Sequence, residues 1–313
     1  MKLALGLTTS MPLRQGIELA ELAEAQGYTR IFVGEDALSR EIFTYLAAIA
    51  VKTELPLASG ILSPYLRSLV LIASATAGMQ MLTGNKFALG IGVGGIPEVR
   101  KLTGREPKNA VEVLRETAEV VRRIFRGERI TFRGRRACLR NYRLRATVEV
   151  PEILFGVRGR RLLALAGEVS DGVIFSGPDE YLKQAAGIVK MAAEKAGRSF
   201  ARLHRVVWKG FVLGDMKMAR RIVATIIASS PKDVLRVMEL EHVAKDIREA
   251  ILRGDYPLAA KLVPEEALRE FCFCGTREEI LDSMEELRRY GFEEFVVGPP
   301  FGNSPAEVVR TFG

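Results

Sequence analysis

Ser59-Gly60-Ile61-Leu62-Ser63-Pro64-Tyr65-Leu66-Arg67 ends a short apolar run in glycine and proline, and an apolar helical stretch, Leu69 to Leu82, follows. Lys86-Phe87-Ala88-Leu89-Gly90-Ile91-Gly92-Val93-Gly94-Gly95 then reads as a five-residue apolar strand emptying into a loop with four glycines in six positions. Strand, helix and strand in that order make one parallel crossover unit. A strand that ends in glycines lets backbone N–H groups approach a ligand closely and donate to a phosphate or a flat ring.

Outward from this unit the same alternation runs from end to end. Strands are expected at about 2–7, 30–34, 56–59, 86–91, 152–156, 172–175, 204–213 and 294–298. Helices fill the gaps at 13–26, 41–53, 68–82, 108–126, 159–168, 179–197, 215–228 with 231–253, and 276–290. The strands are apolar almost throughout, as needed where helices cover one face and a packed interior the other. Eight strand–helix units argue an α/β fold closed as a (β/α)8 TIM barrel, with an open doubly wound sheet as the alternative. No repeat or linker divides residues 1–313, so one barrel domain is expected, with insertions at about 128–148 and 229–271. The first insertion reads as a hairpin around Gly134, with five arginines between Arg129 and Arg140. It would close over a ligand, or serve as a dimer contact or exposed ribbon.

Composition narrows the function classes. Apolar residues at 48% supply a full core, and no run of about twenty apolar residues is present to span a membrane. The chain enters a strand at once, Lys2-Leu3-Ala4-Leu5-Gly6-Leu7, without a charged leader. Three cysteines are too few for a disulfide framework, which points to a reducing, cytoplasmic setting. The net charge is +8, but arginines alternate with glutamates in segments such as Glu285-Glu286-Leu287-Arg288-Arg289, a solvated and salt-bridged pattern rather than a nucleic-acid face. An acidic small molecule suits the excess better, since a positive cleft focuses anions.

In a barrel the site lies where strands end at their C-terminal side. Thr8-Thr9-Ser10, Gly34-Glu35-Asp36, Ser59-Gly60-Ile61, Gly92 to Gly95, Gly156-Val157-Arg158-Gly159 and Ser176-Gly177-Pro178 qualify. General acids and bases are scarce, with His204 at the start of a strand and His242 in a charged helix, both read as surface or packing residues. That scarcity suits a reaction in which a bound cofactor carries the electrons. No metal set is expected, because Cys272-x-Cys274 lacks a second pair and reads as core packing. Glu35 and Asp36 either contact a ring or substrate, or cap a helix and pair with Arg40. Arg158-Gly159-Arg160-Arg161 opens a helix directly after a strand, where free N–H groups, the helix dipole and cations converge on an anion.

Three further segments lie in order with the opening pair: Pro151-Glu152-Ile153-Leu154-Phe155-Gly156 leading through Arg158 into Leu162 to Val173, Phe273-Cys274-Gly275-Thr276-Arg277-Glu278-Glu279-Ile280, and Phe295-Val296-Val297-Gly298-Pro299-Pro300-Phe301-Gly302. Together they resemble the luciferase-like flavin and deazaflavin oxidoreductases, closest to the methylenetetrahydromethanopterin reductase branch that uses coenzyme F420. The resemblance implies a cytoplasmic homodimer or higher homo-oligomer that acts on a small-molecule substrate, without nucleic acid or membrane. Gly60 and Ile61 match the place where relatives hold a non-prolyl cis peptide beneath the ring. Gly92, Val93, Gly94 and Gly95, with Gly156, Val157, Arg158 and Gly159, match the loops that hold the cofactor's phosphate end. Glu35, Asp36 and Thr8 fall at the catalytic positions, with two departures. Many relatives have a histidine where this chain has Asp36, and the reductase branch tends to have a glutamate where it has Thr8. An FMN-dependent monooxygenase of the same fold, and a cofactor-binding protein without turnover, are the alternatives.

Overall fold

Eight of the apolar segments pair edge to edge until the last meets the first. In this computed structural model, which describes residues 1–302 and 304–313, the strands are β1 (Lys2–Thr8), β2 (Arg30–Gly34), β3 (Leu57–Ser59), β4 (Phe87–Ile91), β5 (Ile130–Arg133), β6 (Cys138–Tyr142), β7 (Glu152–Phe155), β8 (Gly172–Phe175), β9 (His204–Trp208), β10 (Gly210–Leu213), β11 (Cys272–Gly275) and β12 (Glu294–Val297). The closed barrel runs β1-β12-β9-β8-β7-β4-β3-β2, parallel throughout. The (β/α)8 reading therefore holds, and the open sheet does not.

One side chain from each strand fills the interior: Ala4, Phe32, Ala58, Ala88, Leu154, Ile174, Val206 and Val296. Three alanines make room for the Phe32 ring, which keeps this plug dense. Ile61 and Trp208 pack against it. A second, larger apolar layer joins the outer strand faces to the surrounding helices. Parallel strands put all their first residues on one rim and all their last residues on the other.

Two expectations are corrected. The strand expected over 204–213 breaks at Lys209, a buried lysine ion-paired with Asp179, donating to the Arg269 carbonyl at 3.0 Å and lying over the Phe273 ring. Beyond that break, β10 leaves the barrel and pairs with β11 in a separate two-stranded sheet. The stretch between the glycine loop and the helix expected at 108–126 also holds a helix, Ile96–Thr103, for which Gly95 is the N-cap.

The hairpin is confirmed as β5–β6, turning at Gly134. It springs from the N-terminal rim beside Arg126 and climbs the outside of the barrel. At its tip the Arg135 N–H donates to Glu116, and Arg136 donates to the Tyr65 carbonyl. The second insertion contains four short helices, Lys232–Arg236, Glu241–Leu252, Tyr256–Lys261 and Glu265–Phe271. Among the described residues no helix is long and apolar enough to cross a membrane.

Candidate active site

The C-terminal rim is built by short clamps between neighbouring strand ends. Thr9 Oγ1 accepts from the Asp36 N–H at 2.8 Å and donates to the Asp36 carbonyl at 3.1 Å, tying the end of β1 to that of β2. Ser59 Oγ does the same for Gly90, accepting from its N–H at 2.8 Å and donating to its carbonyl at 2.9 Å. Ser63 Oγ then donates to the Val93 carbonyl at 2.6 Å, which fixes the loop after β3 against the glycine loop. Such pairs replace the ladder bonds that strand ends forfeit and hold the rim rigid.

Glu35 is the buried anchor of that rim. Its carboxylate is ion-paired with Arg67 and accepts the Ser63 N–H at 3.2 Å, and Arg67 also reaches Glu41 at 3.1 Å. The expected pair with Arg40 does not form. Arg40 instead donates to the carbonyls of Thr9 and Ser10, at 2.9 and 3.1 Å. Asp36 is engaged locally, accepting from the Leu38 N–H at 3.1 Å and the Ser39 hydroxyl at 2.8 Å. Thr8 Oγ1 lies 2.6 Å from Ser10 Oγ. The structure thus brings all three positions to one rim, with each carboxylate accepting from two neighbouring donors. Beside them a cleft of about 770 Å³ opens between Glu35, Arg40, Phe43, Leu66, Arg67 and Leu102.

The Gly60–Ile61 peptide is cis, as expected from the resemblance. A Cβ on Gly60 would lie 2.6 Å from the Trp208 indole, and one on Gly156 would lie 2.5 Å from Ile61 Cγ2. A Cβ on Gly92 would overlap the Gly156 carbonyl and press on Ile61. Packing around Ile61 therefore requires glycine at positions 92 and 156. Gly94, at φ +82°, occupies backbone space that favours glycine, while Gly95 starts the next helix and Val93 is partly buried. Trp208, the chain's one tryptophan, donates from Nε1 to the Pro299 carbonyl at 3.0 Å and meets Phe32 edge-on at 6.2 Å between centroids. Ile61 and Trp208 together form an apolar floor at the mouth of the barrel.

Beside that floor stands Arg158, expected as an exposed arginine at a helix start. The structure corrects this: the side chain is partly buried and folds back on Ser176, with Nη2 donating to its Oγ at 2.9 Å and Nε to its carbonyl at 3.3 Å. It has no ion-pair partner among the described residues, and burial lowers its pKa. Helix Arg160–Val169 begins next to it with no side-chain cap and no acid in its first turn. Gly159, at φ +80°, donates its N–H to the Tyr181 hydroxyl at 3.0 Å, and Val157 is buried beneath. The neighbouring helix Asp179–Lys195 is the opposite case, with Asp179 and Glu180 in its first turn. An acid does approach Gly159: exposed Asp233, whose Oδ2 would be 3.8 Å from a Cβ there.

His204 was expected as a surface or packing residue. It is instead the centre of a buried ion cluster on the opposite, N-terminal rim, 3.0 Å from Glu152 and 2.8 Å from Glu294. No group of three or more candidate metal ligands occurs among the described residues, and the three cysteines are free.

Sequence reasoning missed Trp208, the Arg158–Ser176 contact and the Glu35–Arg67 pair. The lone tryptophan at a strand end was a readable signal. The other two depend on contacts across 18 and 32 positions, for which one sequence carries no sign.

Over residues 2–294 the chain matches the family described as luciferase-like monooxygenase. It is 26% identical over 323 residues to the 5,10-methylenetetrahydromethanopterin reductase of Methanolobus tindarius, covering 100% of this chain and 98% of that one. Its fold is similar to the coenzyme F420-dependent tetrahydromethanopterin reductase of Methanopyrus kandleri, with a TM-score of 0.91, 23% identity, and 99% and 96% of the two chains covered. An F420-dependent secondary alcohol dehydrogenase in complex with an F420–acetone adduct shares the fold at a TM-score of 0.82 and 17% identity, again over 99% and 96% of the chains.

Proposed function

We propose, from the premise that the chain belongs to the luciferase-like monooxygenase family, that it is a coenzyme F420-dependent oxidoreductase, with a C1-bearing tetrahydropterin of the methylenetetrahydromethanopterin type as its substrate. The observation that carries this reading is the partly buried guanidinium of Arg158, without an ion-pair partner among the described residues, beside an uncapped helix start and two residues beyond Gly156, which packs on Ile61. An unpaired cation and free first-turn amides fit a phosphate, and a flat apolar floor fits a fused ring.

When bound, the coenzyme supplies the hydride-carrying centre. The chain's own residues bind and orient. Arg158, the amides after Gly159 and the Gly92–Gly95 loop would hold the phosphate end. Gly60, Ile61 and Trp208 would back the ring, leaving its other face to the substrate in the cleft beside Phe43 and Leu66. Thr8 and Ser10, hydrogen-bonded to each other at the end of β1, would offer hydroxyls to the substrate. Glu35 and Asp36 position the rim rather than move a proton, since their oxygens already accept from Arg67, Ser63, Leu38 and Ser39. We place the enzyme in the cytoplasm as a homo-oligomer, on its free cysteines and on the apolar Val51, Leu71 and Met81 exposed along two adjacent helices.

The test is a titration at low salt with coenzyme F420 and with FMN, following the fluorescence of Trp208. F420 should quench saturably and bind the tighter of the two, because its longer tail carries more negative charge. Equal or reversed affinities would favour the flavin monooxygenase reading, and no quenching by either would remove the floor from the site.

A further inference from the structure

The chain's positive charge is concentrated in one place. Residues 126–148 hold eight arginines, no lysine and a single acid, Glu128, so +7 of the total +8 sits on the β5–β6 ribbon and its continuation. The excess was expected to serve the cofactor rim, but the base of the ribbon lies at the other rim, where Arg122 at the end of helix Ala110–Phe125 binds the Val169 carbonyl and Asp171. None of the eight arginines makes an ion pair among the described residues, although Arg30, Arg115, Arg122 and Arg205 all find carboxylates. Glu128 is taken by Arg123. Arg126, Arg129, Arg140, Arg143 and Arg145 line one cleft of about 770 Å³ that holds no acidic residue.

Beyond β6 the chain stays extended but unpaired. From Arg143 to Val148 no backbone N–H or C=O makes a hydrogen bond among the described residues. Side chains alternate along it. Leu144, Ala146 and Val148 pack against the core, and Arg143, Arg145 and Thr147 face solvent. This is an open edge with arginines at alternate positions, which in an extended chain repeat about every 6.7 Å along the backbone. An acidic segment added as a strand would present carboxylates at the same repeat while its backbone satisfied the open edge. Arginine's planar fork suits bidentate carboxylate contacts. A nucleic acid fits less well, since Phe132 and Tyr142 are both half-buried against the core and the ribbon offers no fully exposed aromatic for bases to stack on.

We infer that residues 143–148, with the arginine cleft beside them, form a docking edge for an extended acidic peptide segment of a partner protein. The test uses the full chain and a fluorescently labelled peptide of alternating glutamate and valine, followed by anisotropy. The peptide should bind with an affinity that falls as salt rises, and the Arg143→Glu/Arg145→Glu double variant should weaken it about tenfold or more. A peptide of equal charge with proline in place of valine cannot complete the ladder and should bind about fivefold more weakly, the loss of roughly one net hydrogen bond. The double variant should keep the wild-type melting temperature and coenzyme affinity, and Arg143→Gln/Arg145→Gln provides the same comparison if charge reversal disturbs folding. Equal binding of the proline peptide would reduce the surface to bulk charge and overturn strand addition. Tighter binding of single-stranded DNA or inorganic polyphosphate than of the alternating peptide would overturn the acidic-protein partner.

Discussion

The two rims of the barrel differ in how completely they answer buried charge. At the N-terminal rim every buried charge is answered: His204 lies between Glu152 and Glu294, Arg30 binds Glu152 at 2.8 Å, Thr29 donates to Glu294 at 2.8 Å, and Arg205 binds Glu293 at 3.0 Å. At the C-terminal rim Glu35 and Arg67 also pair, but glycines stand where side chains would clash, and the partly buried Arg158 cation has no acidic partner among the described residues. Closed networks hold the barrel together, whereas an open valence leaves stability unused and is available to a ligand. Barrel enzymes divide their labour this way, with chemistry at the strand C-termini and stability at the other face.

The sharpest way to break that contrast is His204→Ala. It leaves two buried carboxylates facing each other and should cost about 3–5 kcal/mol of unfolding free energy, the range for removing one partner of a buried pair. Urea denaturation checks it. A loss below about 1 kcal/mol would mean the cluster is no more than a surface ion pair.

The pH profile of stability gives the next largest effect. Burial pushes His204 down, but the hydrogen bonds its ring N–H groups donate to Glu152 and Glu294 outweigh this and raise its pKa from 6.5 to about 9. Its stabilisation is therefore fully present below pH 6.5 and is lost as pH rises through about 9, amounting to about 3 kcal/mol. Burial raises Glu152, while the His204 hydrogen bond and the Arg30 charge outweigh that and bring it from 4.5 to about 2. Its contribution is present above pH 4.5 and is lost as pH falls through about 2. Melting temperature should peak between about pH 4.5 and 6.5 and decline on both sides. His204→Gln should flatten the alkaline limb, and an unchanged limb would assign the titration elsewhere.

These rims were not equally legible in the sequence. The alternation of short apolar runs with amphipathic segments fixed the barrel, because a strand covered on both faces must be apolar along its length. The strand-end glycines marked the C-terminal rim for the same kind of local reason. What escaped reading depends on distant partners. Lys209 looks like an ordinary strand lysine until Asp179 and Arg269 close on it, and only then does β9 end where it does. Glu152, His204 and Glu294 stand at three separate strand starts, so their cluster appears only after closure. Gly92 and Gly156 looked like phosphate contacts, and Ile61 gives them a packing reason that required the loop after β3 to be in place.

Arg158→Ala carries the contrast to the other rim. If its guanidinium holds the coenzyme phosphate, affinity should fall by about 1.5–3 kcal/mol, the range for a charge-assisted bond. Unfolding free energy should stay level or rise, because the variant removes a desolvated cation that has no ion-pair partner. Fluorescence titration and urea denaturation of the same preparation separate the two outcomes. Unchanged affinity with lowered stability would make the Ser176 contact structural and move the phosphate to the Gly92–Gly95 loop.

The smallest effect expected should have the opposite sign. Asp233 lies close to the start of helix Arg160–Val169, and it faces Gly159 from the helical insertion rather than from the barrel. A carboxylate there competes with an incoming phosphate for the same helix dipole. Asp233→Asn keeps the shape and removes the charge, so coenzyme binding should tighten by about 0.3–1 kcal/mol, the scale of one charge near a helix terminus. The gain should shrink as salt rises, since Asp233 is exposed and screened. Weaker binding in Asp233→Asn would mean the aspartate donates order to the loop rather than opposing the anion. The open valence at this rim would then be narrower than Arg158 alone suggests.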